Sequence, residues 1–280
     1  MRWTSGRRSD NVEDRRGMGG GGVLGGGIGT IVLLLLAWYL GIDPTPLLQQ
    51  VQTDSVSSAP GPAPDLAHDP LADFVSAVLA TTEDTWRAEF AQQGQSYTDP
   101  TLVLFSGSVA SACGYAEAAM GPFYCPSDQK VYIDLDFYRD LRERFNAPGD
   151  FAEAYVIAHE VGHHVQNLLG TSDRVRALQE RGTATEANRQ SVRLELQADC
   201  FAGVWANRTD RDSRIIEAGD VDEALTAASA IGDDRLQSQA RGHVTPDSFT
   251  HGTSAQRVHW FKQGLESGSI DRCDTFTTEL

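Results

Sequence analysis

Positive charge is scarce in this sequence: 23 lysines and arginines face 39 aspartates and glutamates, for a formal charge of −16 over 280 residues. A surface this acidic repels phosphate backbones, which excludes sequence-independent nucleic-acid binding. No internal repeat is present. No CxxC pair occurs among the four cysteines, so a finger-type thiolate zinc site is absent. Two further gaps sit near the N-terminus. Gly17 to Ile42 holds no charged residue, and no lysine or arginine occurs between Arg16 and Arg87.

The uncharged stretch is glycine-rich at first, then strongly apolar from Ile28 to Leu40, with Trp38 and Tyr39 near its end. It is long enough to cross a hydrocarbon core of about 30 Å as one helix. No small-x-small cleavage site follows Leu40, which favours an uncleaved anchor. Arg2, Arg7, Arg8, Arg15 and Arg16 precede it. By the positive-inside bias, residues 1–16 are expected to be a cytoplasmic tail, 17–42 a transmembrane anchor, and the remainder extracytoplasmic. In an oxidising compartment four cysteines invite two disulfides, and the expected pairs are Cys113–Cys125 and Cys200–Cys273.

Residues 43–68, interrupted by Pro44, Pro46, Pro60, Pro62 and Pro64, read as a linker. The folded domain is expected over 69–280. Leu71, Phe74, Val75, Val78 and Leu79 recur at helical spacing, and Trp86 and Phe90 carry that helix to about Gln93. Leu102–Phe105 reads as a buried strand and Ser108–Met120 as loop. Val131, Ile133 and Leu135 alternate with Tyr132, Asp134 and Asp136, a strand pattern. Helices are expected over Phe137–Arg144, Phe151–Leu169, Glu186–Asn207, Val221–Ile231 and Ser254–Glu266. Few strands followed by many helices give an α+β fold: a small N-terminal sheet and a mainly helical C-terminal half, preceded by one transmembrane helix.

The chemistry concentrates in His159-Glu160-Val161-Gly162-His163. Four residues apart on a helix, His159 and His163 share a face and can offer ring nitrogens to one ion, while Glu160 reaches toward that ion's water. Glu195 and Asp199 are also four apart, on the next long helix. A catalytic zinc takes three protein ligands and keeps one position open, and two histidines with a glutamate form an attested set. Asp199 is placed to receive the second N–H of a ligand histidine.

Four runs carry a resemblance: Gly121 to Pro126 (GPFYCP), Ala154 to Gln166 (AYVIAHEVGHHVQ), Glu195 to Ala206 (ELQADCFAGVWA) and His251 to Phe261 (HGTSAQRVHWF). Together they resemble the bacterial neutral zinc metallopeptidase family, proteins with an N-terminal span and an extracytoplasmic domain. The glutamate-aspartate spacing is similar to that of the wider zincin-like clan with HExxH plus a downstream glutamate. The resemblance implies His159, His163 and Glu195 as ligands of one zinc per chain, Glu160 as general base, and Asp199 as the carboxylate that orients a histidine. By similarity to prenyl-protein proteases, His251 and Arg257 are expected to stabilise an oxyanion. His164, off the ligand face, is expected to pack or support.

The resulting expectation is a membrane-anchored peptidase acting on peptide or protein substrates. Val131–Leu135 resembles the edge strand on which such enzymes lay extended substrate. Two alternatives stay open: a tethered interaction protein whose zinc is structural, closed by a fourth ligand such as His251, and a zinc hydrolase of a non-peptide amide.

Overall fold

The computed structural model describes residues 1–16 and 69–278. The chain opens with β1 (Val12–Asp14) and, after the undescribed interval, α1 (Pro70–Gln92). Five strands follow: β2 (Thr101–Phe105), β3 (Ser108–Ser111), β4 (Gly114–Glu117), β5 (Phe123–Cys125) and β6 (Lys130–Asp134). Then come α2 (Asp136–Glu143), α3 (Asp150–Leu168), α4 (Thr171–Gln179), α5 (Ala184–Ser213), α6 (Asp220–Ala230), α7 (Asp233–Arg241) and α8 (Ser254–Ser267). The α+β expectation holds.

The main sheet runs β1-β2-β6-β5, with β1, β2 and β6 parallel and β5 antiparallel to β6. Strand β6 therefore lies inside the sheet. Among the described residues the edge strands are β1 and β5, which corrects the expectation that Val131–Leu135, in β6, forms an edge. Its continuous burial, Val131 to Asp134, suits a strand covered on both faces. Residues 108–120, expected as loop, form the β3–β4 hairpin and one 3₁₀ turn. Small side chains hid the period-2 pattern there.

Residues 1–16 are not a detached tail. Leu102 and Arg15 donate backbone hydrogen bonds to Asn11 and Leu104, at 2.8 Å each, and so build β1 into the sheet. Met1 is buried in the core. Arg7 pairs with Glu83 at 2.6 Å and Asp84 at 2.8 Å, Arg8 pairs with Asp73 at 2.5 Å, and Arg16 bonds Asp14 and Asp69. The arginines that suggest an inside-facing flank are thus spent on the domain's own carboxylates. A membrane lying between residues 1–16 and 69–278 is incompatible with this packing. Three residues of strand, mostly charged and paired with a partner about ninety residues away, carry no local signal. Among the described residues no helix is long and apolar enough to cross a membrane. The expected span at 17–42 and the linker at 43–68 lie outside the described residues.

Helix α1 starts at Asp69, whose carboxylate accepts from the Leu71 and Ala72 N–H groups, with Pro70 in the first turn. Its apolar face, including Phe74, Val78 and Trp86, joins the core around α3. Helix α3 is buried over most of its length, its polar residues included, as befits a helix enclosed by its neighbours. Helix α5 opens with a capping box of Thr183 and Glu186. Two close approaches set the helices around the site. A Cβ on Gly162 would lie 3.0 Å from the Ala198 carbonyl, so the glycine lets α3 sit tightly on α5. A Cβ on Gly264 would lie 1.9 Å from the Cys200 carbonyl, so α8 meets α5 backbone to backbone. Disulfide Cys200–Cys273 fastens that same contact, and Cys113–Cys125 ties the hairpin turn to β5; both pairs are as expected. Such links remove conformations from the unfolded chain.

Candidate active site

The close packing of α3 on α5 brings His159, His163 and Glu195 together. His159 Nε2 lies 3.2 Å from one Glu195 oxygen and His163 Nε2 lies 3.3 Å from the other. The candidate ligand atoms of all three fall within 4.8 Å of one another. A tetrahedral zinc with bonds of about 2.1 Å needs neighbouring ligand atoms about 3.4 Å apart, so the donor set fits the ion. Each ring's other nitrogen is also engaged. His159 Nδ1 is 2.9 Å from Asp199 Oδ1, and His163 Nδ1 is 2.9 Å from Gln166 Oε1. Outer partners of this kind fix ring orientation and tautomer.

Asp199 is fully enclosed and holds four contacts. It accepts from the Tyr155 hydroxyl at 2.5 Å, from His159, and from Arg257 through Nε and Nη2 at 2.9 Å each. Arg257, 2 % exposed, is therefore committed to Asp199 in a two-bond fork, with Tyr155 3.2 Å from Nη2. This differs from the expected aim at an oxyanion: the guanidinium supports the carboxylate that supports His159. Tyr155 and Gln166 were not singled out by sequence. Tyr155 stands one helical turn before His159 and Gln166 three residues after His163, so the (i, i+4) and (i, i+3) rule applied to the ligands would have found both.

Charge states divide by environment. Burial pushes the Glu160 carboxyl up, with His159 and His163 only partly opposing it. Burial pushes the other two carboxylates up as well, but at Glu195 His163 and His159 outweigh it and hold the group well below its ordinary value. At Asp199 Arg257 and His159 do the same. One carboxyl is poised toward proton transfer, and two are kept as anions. Burial lowers the His159 pKa, yet Asp199 and Glu195 outweigh it and raise the group; an ion held by Nε2 would take the place of the proton on that nitrogen.

His251 sits half-exposed at the rim of the same cleft. Its Nδ1 lies 3.2 Å from Asp233 Oδ1. The buried Asp233 also accepts the backbone N–H groups of Thr250 at 2.7 Å, His251 at 2.6 Å and Gly252 at 3.2 Å. Asp233 thus clamps the whole loop, and no sequence pattern pointed to it, since the pair is 18 residues apart. His251 is not among the clustered ligand atoms, so a fourth protein ligand is absent among the described residues. His164 is fully buried, bonded to the Tyr124 hydroxyl at 3.0 Å and the Thr98 carbonyl at 2.6 Å, a packing role as expected. A second acidic group, Asp150, Asp220 and Glu223, is engaged by the Met1 ammonium, 2.6 Å from Asp150.

The cleft encloses about 780 Å³ and is lined by His159, Glu160, His163, Glu195 and His251, with β5 along one side. The family described as "Putative neutral zinc metallopeptidase" matches residues 1–276. The chain belongs to this family. It is 50% identical over 292 residues to the uncharacterized protein YpfJ of Escherichia coli (strain K12), covering 99% of each chain. It is 41% identical over 255 residues to an uncharacterized protein of Mycobacterium tuberculosis (strain H37Rv), covering 86% of this chain and 85% of the relative. No solved structure matches. Within this chain the cluster of His159, His163 and Glu195, beside Glu160, is a candidate metal site.

Proposed function

We propose that this protein is a zinc peptidase that hydrolyses peptide bonds, with one zinc per chain held by His159, His163 and Glu195. The observation that carries the reading is a three-ligand cluster, without a fourth protein ligand among the described residues, opening beside Glu160 onto a large cleft. Structural zinc sites close with four protein ligands. Zinc held there supplies Lewis-acid polarisation of a carbonyl and acidifies water.

The chain's own residues do the rest. Glu160, raised by burial, takes a proton from the attacking water and hands it to the leaving amine. Asp199, fixed by Tyr155 and Arg257, holds the His159 ring in its tautomer. His251, held by Asp233, donates toward the carbonyl oxygen as negative charge develops there. Edge strand β5 offers backbone groups on which an extended peptide pairs. The two disulfides support residence in an oxidising compartment.

The test separates binding from chemistry. Glu160→Gln should keep about one zinc per chain while hydrolysis falls by a factor of ~10² or more. Glu195→Gln should lose zinc itself. A fully active Glu160→Gln enzyme would remove the mechanism, and so would hydrolysis that survives complete removal of zinc by chelator.

A further inference from the structure

Among the described residues the two most exposed large apolar side chains are Met120, at 71 %, and Tyr115, at 63 %. Single exposed apolar residues need no explanation. These two, however, stand on one rim of the cleft that holds His159 and Glu160. Tyr115 is on β4 and Met120 closes the 3₁₀ turn after it. Phe137 and Phe145 lie together with ring centres 6.2 Å apart and line the same cleft. Gly121, next in the chain to Met120, brings its backbone to Phe137; a Cβ there would sit 3.6 Å from the ring. Tyr115, Met120, Phe137 and Phe145 thus all give apolar surface to the cleft that β5 also lines.

The rim is anchored at both ends. The hairpin turn is tied through Cys113–Cys125 to the last residue of β5, and the Ala112 N–H donates to Asp128 at 3.0 Å. At the base, the Ala118 N–H donates to the Gly107 carbonyl at 2.7 Å and the Gly107 N–H to Asp134 at 2.7 Å. A hairpin anchored in this way has little backbone freedom left to lose on binding, so the cost is confined to the side-chain rotamers of Tyr115 and Met120. Exposed apolar side chains beside a polar centre in a concave site are the surface expected of a ligand groove. The protein's strong negative charge disfavours acidic ligands.

We propose that the β3–β4 hairpin is a substrate clamp, in which Tyr115 and Met120 press a bulky apolar side chain of the bound peptide against Phe137 and Phe145. The substrate class is an extended peptide segment with such a residue and without clustered acidic residues. This rests on the peptidase reading for the ligand being a peptide. The staple Cys113–Cys125 makes the clamp dependent on oxidation, because without it the hairpin turn loses its tie to β5.

The experiment uses full-length, zinc-loaded Glu160→Gln protein and blocked fluorescent hexapeptides differing at one position: Leu or Phe against Ser or Asp. Binding should be at least tenfold tighter for Leu and Phe. Tyr115→Ser with Met120→Ser should erase that preference at unchanged zinc content, and Cys113→Ser with Cys125→Ser should weaken it. Both rim residues are exposed, so folding is not at stake. Equal affinity for all four peptides, or a preference that survives the rim replacements, overturns the clamp. The same peptides are then given to the unmutated enzyme. If Leu and Phe peptides bind through the rim but are never cut, the peptidase reading fails and the clamp stands. If cutting ignores the rim residues, the clamp fails and the peptidase reading stands.

Discussion

Replacing Asp199 by Asn tests the site from its supporting layer. The carboxylate accepts Tyr155 at 2.5 Å, His159 Nδ1 at 2.9 Å, and two Arg257 nitrogens at 2.9 Å each. Asparagine keeps the size but offers one acceptor oxygen, and its NH₂ must face another donor. If that oxygen stays with His159, the Arg257 guanidinium, 2 % exposed, loses its counter-charge. Breaking a buried pair from one side costs about 3–5 kcal/mol. Loss of an outer partner of a metal histidine lowers metal affinity by roughly 10–100-fold. The two effects can be parted. In Asp199→Asn with Arg257→Met the unpaired cation is gone, so stability should largely return while zinc affinity stays low. Urea unfolding of the zinc-free, disulfide-intact protein reads the first, and chelator competition reads the second. Zinc affinity at the unmutated level in Asp199→Asn would refute the assignment. So would a stability loss that the second replacement fails to relieve.

Three further outcomes follow from other parts of the molecule. Burial raises the Glu153 carboxyl to about 7, only partly offset by Arg142; between its ordinary value and 7 the folded state binds the extra proton, so stability falls as pH rises through that window. Glu153→Gln should thus be close to neutral near pH 5 and stabilising near pH 8 in thermal melts, and a pH-independent difference would sink the idea. Asp233→Ala frees the Thr250–Gly252 loop and should reduce kcat more than tenfold at full zinc occupancy, whereas an effect that persists unchanged in a His251→Ala background would show that Asp233 does not act through His251. Removing residues 1–16 uncovers the β2 edge and strips buried Glu83 of Arg7, Ser9 and Asn11; the melting temperature should drop by several degrees, and an unchanged melt would contradict the docked strand.

His159, His163 and Glu195 were legible in the sequence because helical periodicity alone puts residues four apart on one face, and the chemistry of zinc limits what such a face can hold. The same logic extended to Asp199, and period and punctuation located α1, α3, α5 and α8. The α+β class followed from the order of those elements. What lay beyond reach were the relations that distant packing fixes without a motif or a cysteine to mark them. The β1 strand pairs with β2 across most of a hundred residues, and its arginines look like a membrane flank until their partners Asp73, Glu83 and Asp69 stand beside them. The order β1-β2-β6-β5 decides which strands are edges, and hydrogen-bond partners between strands leave no mark on local pattern. Arg257 could be given an oxyanion role by resemblance to prenyl-protein proteases, but only the close approach of α8 to α5 at Gly264 shows it facing Asp199. Local sequence specifies which side chains share a face; the packing of one face on another, set by glycine contacts and disulfides far apart in the chain, decides which of them meet.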